Sequence, residues 1–306
     1  MPQSPDELRA RLNGLFAFPV TPFAEGDQIN LAAYRELLQY MLKFQPAALF
    51  VCGGTGEFFS LLLSEYRALV KVAVEEVGGQ VPVVAGAGYG TRMAMEFVSA
   101  AAEAGADGAL VLPPYLLNAE QDGLFEHYRM IAESTRMGII IYQRDNAIFT
   151  PATVSRLADV PNIIGFKDGH GDMERLHRIR HAVGDRMTFM NGMPTAEMSA
   201  GAFLGNGISS YSSAVFNFVP EISQAFYQAL MARDEQKTGK LVEAFYRPLA
   251  EIRDRRKGYA VSLIKAGVRL MGRAVGPARR PLVNPRPEEE AELKSVIASG
   301  LAAVRG

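Results

Sequence analysis

The sequence predicts an α/β protein built as a closed (β/α)8 TIM barrel with a C-terminal helical extension. Two observations carry this, and a third disfavours the nearest rival. Eight short apolar runs recur along the first 225 residues, each bounded by turn residues, as expected of strands buried on both faces of a parallel sheet. Amphipathic stretches separate them, and parallel strands with helical crossovers close most economically into a barrel. A doubly wound open sheet would usually carry a Gly-rich phosphate loop after its first strand, and "VTPFAEGDQ" is not one.

Taken in order, the predicted strands are Leu15–Phe18, Ala48–Val51, Val81–Ala85, Gly108–Leu112, Gly138–Tyr142, Ile163–Phe166, Met187–Met190 and Gly207–Ser210. The helices between them show the 3.6-residue period. In "LAAYRELLQYMLKF", Leu31, Tyr34, Leu37, Leu38 and Met41 fall on one face. "SEYRALVKVAVEEV" repeats the pattern. Asn30 and Ser64 stand where N-caps belong, and Pro151 opens a helix after Thr150. The barrel is expected to occupy residues 1–225. Residues 226–306 show helical periodicity without a further strand and form the extension.

Composition narrows the class. The chain has 306 residues, 48% hydrophobic, with a formal net charge of −1. That balance offers no electrostatic attraction to nucleic acid or an anionic membrane surface. No apolar run approaches the ~18 residues of a membrane span, and "MPQSPDELRA" lacks the basic and apolar regions of a signal peptide. One cysteine, Cys52, allows no internal disulfide, as expected for a reducing, cytoplasmic setting.

Barrel active sites form where the C-terminal ends of strands meet their loops. In "NIIGFKDGHGD", Lys167 ends the sixth strand and should point into that mouth. It is either snorkelling to solvent or forming an imine. An imine needs a neutral amine, and at the ordinary pKa of ~10.4 only about one lysine in 2,500 is neutral at pH 7. An apolar mouth that lowers the pKa by ~3 units supplies roughly 4 kcal/mol. The other lysines fall on helices or in the C-terminal region. Tyr142 ends the fifth strand, ~4.8 Å away in a parallel ladder, where a phenol can shuttle protons.

"CGGTGEFFSL" ends the second strand and is expected to open a helix. Glycines there let the backbone approach a ligand, and free amides attract an anion. Gly54 and Thr55 are therefore candidates for a carboxylate, since the G-K-[ST] of a P-loop is absent. "GAGYGT" resembles a dinucleotide loop only loosely. Asp168, His170 and Asp172, or the pair His177 and His181, could suggest a metal, but no third ligand is evident beside the histidines. No metal is expected.

These residues also carry a family likeness. "GLFAFPVTPF", "GGTGE", the strand-end Tyr142, "NIIGFKD" and "GPARRPL" resemble the dihydrodipicolinate synthase and N-acetylneuraminate lyase family, nearly end to end. The resemblance implies a Schiff-base enzyme on a TIM barrel with Lys167 as imine lysine, Tyr142 as proton relay and Gly54-Thr55 as the carboxylate site. It implies no cofactor, a small sugar-acid substrate and a homo-oligomer, dimer or tetramer. The synthases have two threonines at Gly54-Thr55, "PYYN" where this chain reads "PYLL", and an arginine in a different register from Arg144. "FVCGGTGEFFSL", "YQRDNAIFT" and "NGMPTAEM" are instead similar to the family's decarboxylating dehydratases, which act on 5-dehydro-4-deoxyglucarate.

The far end of such a substrate needs further polar groups. Arg144, Asn191, Thr195, Ser209 and Ser210 are the candidates, on or beyond the fifth, seventh and eighth strands. An aldolase releasing pyruvate would present much the same residues around Lys167. A non-catalytic sugar-acid sensor and a metal-dependent aldolase are more distant alternatives. "LFEHYRMIAES" and the C-terminal region are the candidate oligomer surfaces.

Overall fold

The computed structural model describes residues 3–305. Eight strands, β1 (Leu15–Ala17), β2 (Ala48–Val51), β3 (Val83–Ala87), β4 (Gly108–Val111), β5 (Gly138–Gln143), β6 (Ile163–Asp168), β7 (Thr188–Asn191) and β8 (Ser210–Ser213), pair in sequence order. All pairs are parallel, and β8 returns to β1 through Phe16↔Ser212, closing the barrel. Helix α1 (Pro5–Arg11) precedes β1. The crossovers are α2 (Leu31–Leu42), α3 (Leu63–Val77), α4 (Thr91–Glu103), α5 (Gln121–Glu133), α6 (Pro151–Leu157), α7 (Met173–Val183), α8 (Ala200–Gly205) and α9 (Pro220–Met231).

Local chemistry explains most helix starts. The Asn30 and Thr150 side chains accept from the amides of Ala33 and Thr153, as N-caps do. Ser64 does not cap α3: it lies within the first turn, and the Glu65 carboxylate accepts from the Leu62 amide instead. In α1, Ser4 and Glu7 form a capping box.

Two apolar layers follow from strand alternation. Outward residues such as Val51, Ile141 and Phe166 pack under the helices. Inward residues, among them Phe16, Phe50, Val84, Ile140 and Ile164, fill the barrel. Leu8 and Leu12 of α1 join this inner layer and plug its foot. A Cβ on Gly108 would stand 2.6 Å from the Leu8 side chain, so the glycine is what admits the plug. With the foot sealed, the cavity opens at the opposite end. The Phe50 ring, stacked at 4.7 Å on Phe18, floors that mouth; truncating such a core ring costs about 3–5 kcal/mol.

Two strands start two or more residues later than expected. β3 starts two residues later than predicted and runs through Gly86, whose Cβ would lie 2.2 Å from the Cys52 carbonyl oxygen. Small residues there permit close strand approach and do not mark a loop. β8 runs over Ser210–Ser213, three residues beyond Gly207. Gly207 (φ +72°) terminates α8 instead, its amide donating to the Leu204 carbonyl. A strand written Ser-Tyr-Ser-Ser has no apolar run to find.

After α9 come α10 (Glu235–Leu241), a π turn (Val242–Tyr246), α11 (Arg247–Asp254), α12 (Tyr259–Leu270) and α13 (Pro287–Arg305). The boundary expected at 225 falls inside α9. Among the described residues, no helix is long and apolar enough to cross a membrane.

Candidate active site

A one-residue slip aims the lysine. Ile139 pairs with Ile163, but Ile140 pairs with Gly165, so Ile164 is extra on β6. Such bulges re-aim the side chains that follow. Ile164 faces inward and Phe166 outward, so Lys167 turns into the mouth. Strict alternation from Ile164 would have pointed it at the helices.

Lys167 pairs in register with Tyr142. Its amine lies 4.1 Å from the centre of the Phe18 ring and 4.4 Å from that of Tyr142, and the residue is only 4% exposed. Burial lowers its pKa from 10.5 to about 7, and the positive Arg144 nearby adds to the effect. Contact with aromatic faces favours the ammonium by ~1–2 kcal/mol, less than the ~5 kcal/mol that such a shift represents. Desolvation wins.

Tyr142 donates to the Gly192 carbonyl at 2.9 Å and accepts from Arg144 Nη1 at 3.3 Å. Burial raises its pKa, with Arg144 working against that, so the phenol is a proton donor at rest. Gly192 leaves the lysine its place: a Cβ there would sit 2.6 Å from Lys167 Cε. Behind the dyad, Gln143 donates to Asp168 at 2.6 Å and accepts from the Phe149 amide, tying together the loops after β5 and β6.

Gly54 and Thr55 line the same cavity, about 490 Å³ in volume, as Phe18, Tyr142 and Lys167. No α-helix opens directly after them. The segment makes a tight turn, with Glu57 and Phe58 amides donating to the Gly54 and Gly53 carbonyls, and a short 3-10 helix covers Phe58–Ser60. Among the described residues the amides of Gly54 and Thr55 have no acceptor within the protein. A Cβ on Gly54 would meet nothing within 4 Å. These free amides belong to a turn rather than to the start of an α-helix.

Of the remaining candidates, Arg144 and Thr195 line the cavity. Thr195 accepts from Arg253 and holds φ at +51°, a costly conformation for a β-branched residue. Asn191 lies outside it. Its amide nitrogen donates to the Ala196 carbonyl and Ser199, and its oxygen accepts from the Met193 amide, which shapes the loop after β7. Ser209 and Ser210 are at the opposite end of the barrel. Ser210 accepts from the Gly14 amide at 2.9 Å, and both serines donate to Asn13. Because β8 begins three residues late, the β8 serine that lines the mouth is Ser212.

Sequence reasoning missed one whole wall. Leu249 and Arg253 of α11, with Ala260, Val261 and Ile264 of α12, line the cavity. It also missed Glu197, which lines the cavity, accepts from Ser213 at 2.6 Å and has its pKa raised by burial to about 7. Nothing in "TAEM" or "EIRDRRKGY" marks Glu197 or Arg253 as buried or inward-facing.

Residues 11–299 match the sequence profile of the dihydrodipicolinate synthetase family. The chain belongs to that family. A protein of Bradyrhizobium sp. strain BTAi1, named a probable 5-dehydro-4-deoxyglucarate dehydratase, is 48% identical over 96% of this chain and 95% of its own. One from Streptomyces griseus with the same name is 49% identical over 96% of this chain and 95% of its own. The crystal structure of dihydrodipicolinate synthase from Oceanobacillus iheyensis superposes with a TM-score of 0.90 at 27% identity, covering 97% of this chain and 99% of that one. That synthase and this chain therefore share the barrel with its helical extension.

Proposed function

We propose that this chain is a Schiff-base lyase, a decarboxylating dehydratase that converts 5-dehydro-4-deoxyglucarate into 2,5-dioxopentanoate, carbon dioxide and water. The observation that carries the chemistry is Lys167: a buried amine with its pKa near 7, at the mouth of a barrel, against a protonated phenol. The substrate rests on the names of relatives at 48–49% identity.

The 2-oxo carboxylate is received by the amides of Gly54 and Thr55 and the Thr55 hydroxyl. Neutral Lys167 attacks the adjacent keto carbon and, with loss of water, forms a protonated imine. That electron sink acidifies the neighbouring methylene. Tyr142, passing its own proton on, relays this one, and the enamine expels the β-hydroxyl as water. Glu197, its pKa raised by burial to about 7, also borders the cavity. The conjugated imine then accepts the electron pair released when the distal carboxylate leaves as carbon dioxide. Reprotonation of the carbon chain and tautomerisation of the resulting enol give an aldehyde, and hydrolysis frees Lys167. Arg144, Thr195 and Arg253 are the groups available to the distal half.

A product assay on the purified protein tests this. Dioxopentanoate with stoichiometric carbon dioxide is expected; pyruvate release would assign the chain to the aldolases. We also infer a homo-oligomer, dimer or tetramer. Tyr115, Leu116 and Leu117 leave an apolar lip exposed beside the mouth, whereas α5 spends Leu124, Tyr128 and Ile131 on its own core. Light scattering at micromolar concentration measures the assembly.

A further inference from the structure

Glu57 closes the turn that carries Gly54 and Thr55, and its side chain leads away from the cavity into the C-terminal region. There it meets Lys265 of α12, and both side chains are fully buried. Lys265 Nζ donates to Glu57 Oε1 at 2.6 Å and to the Pro277 carbonyl at 2.9 Å. The Arg279 amide donates to the other oxygen, Oε2, at 2.9 Å. The ammonium lies 4.0 Å from the centre of the Phe23 ring. Each carboxylate oxygen thus has its own donor, supplied from 208 and 222 residues further along the chain.

A second, independent observation is the backbone of the turn. Cys52 (φ +51°) and Glu57 (φ +57°) bracket it, both non-glycine residues in the left-handed region. Such conformations persist only where surrounding structure over-determines them. Thr21 holds the middle, donating to the Gly56 carbonyl at 2.6 Å, and the Glu57 ion pair holds the end.

Stability alone does not account for a buried pair, because apolar residues of similar volume generally serve as well or better. What the charged pair supplies is direction: two donors on two oxygens give the turn a single register. We propose that Glu57, fixed by Lys265 and the Arg279 amide, is a positioning residue through which the C-terminal helical region aims the Gly54 and Thr55 amides at the substrate carboxylate. This rests on the reading that those amides receive that carboxylate. It gives the extension, which already walls the cavity through α11 and α12, a second hold on the site through a contact outside the cavity.

The test compares two imine-forming probes, pyruvate and carboxylate-free acetone, trapped on the protein by borohydride. The variants are Glu57→Gln, the double apolar replacement Glu57→Leu/Lys265→Met, and Lys265→Arg. The first two are expected to raise the apparent Kd for pyruvate about tenfold or more while acetone trapping stays within about twofold, and Lys265→Arg is expected to recover much of the pyruvate affinity. The double variant leaves no unpaired buried charge, so it reports even where Glu57→Gln does not fold. Equal losses on both probes, or unchanged pyruvate affinity in the folded double variant, would overturn the proposal. Wild-type protein that does not favour pyruvate over acetone would overturn the carboxylate reading beneath it, a distinguishable failure.

Discussion

Tyr142 and Lys167 are direct partners across the β5–β6 ladder, and the lysine amine stands 4.4 Å from the centre of the phenol ring. The ring screens the amine from water while its hydroxyl, held between Arg144 and the Gly192 carbonyl, keeps a proton within the site. Depressed amine and raised phenol pKa values therefore share one cause, the dryness of the mouth. Each has consequences that can be measured.

The rate of borohydride trapping with pyruvate should follow the neutral fraction of Lys167. It is expected to rise with pH to a plateau with a midpoint near the amine's pKa of about 7. Arg144→Gln removes a like charge and should move the midpoint to higher pH. A midpoint near that of an ordinary lysine would show that the amine is not desolvated.

Stability carries the same signature with a definite sign. Lys167 titrates near 7 in the folded protein against 10.5 ordinarily, so between these values the unfolded chain binds more protons. The destabilising contribution is complete below pH 7 and fades as pH rises toward 10.5. Lys167→Met is thus expected to be more stable than wild type at pH 6–7, by up to ~5 kcal/mol, with the advantage shrinking toward pH 10. Urea unfolding across that range reads this directly; a pH-independent difference would contradict it.

Gly192 has no left-handed backbone to protect, only space. Since its Cβ would stand 2.6 Å from Lys167 Cε and 2.7 Å from Cγ, Gly192→Ala should push the lysine from its position. The expected result is loss of trapping with the fold retained, checked by mass spectrometry and circular dichroism. Full trapping in this variant would mean that the lysine has another productive rotamer.

Tyr142→Phe keeps the ring against the amine and removes the relay. Turnover should fall by about 10²–10⁴-fold, while pyruvate can still be trapped slowly on Lys167. Comparing kcat with the trapping rate separates these. Parallel loss of both would indicate that the hydroxyl matters for placing the lysine rather than for moving protons.

Much of this protein could be read along the chain. Strand-sized apolar runs and helix starts are local, so the order β1–β8, most strand positions, the cap at Asn30 and the helix start at Pro151 followed from sequence, though Ser64 does not cap α3. Lys167 and Tyr142 stood out because a polar residue ending an apolar strand of a barrel has few places to go. Ser209 and Ser210 were misplaced because β8 has no apolar run and Gly207 ends a helix rather than opening a strand. The tertiary structure decided the rest. The Ile164 bulge that turns Lys167 inward depends on pairing with Ile139 and Ile140, which no single strand encodes. The wall from Arg253 to Ile264 and the Glu57–Lys265 pair join segments some 200 residues apart. Their charges look like ordinary surface residues until folding removes the water around them, and that desolvation is a property of the assembled barrel alone.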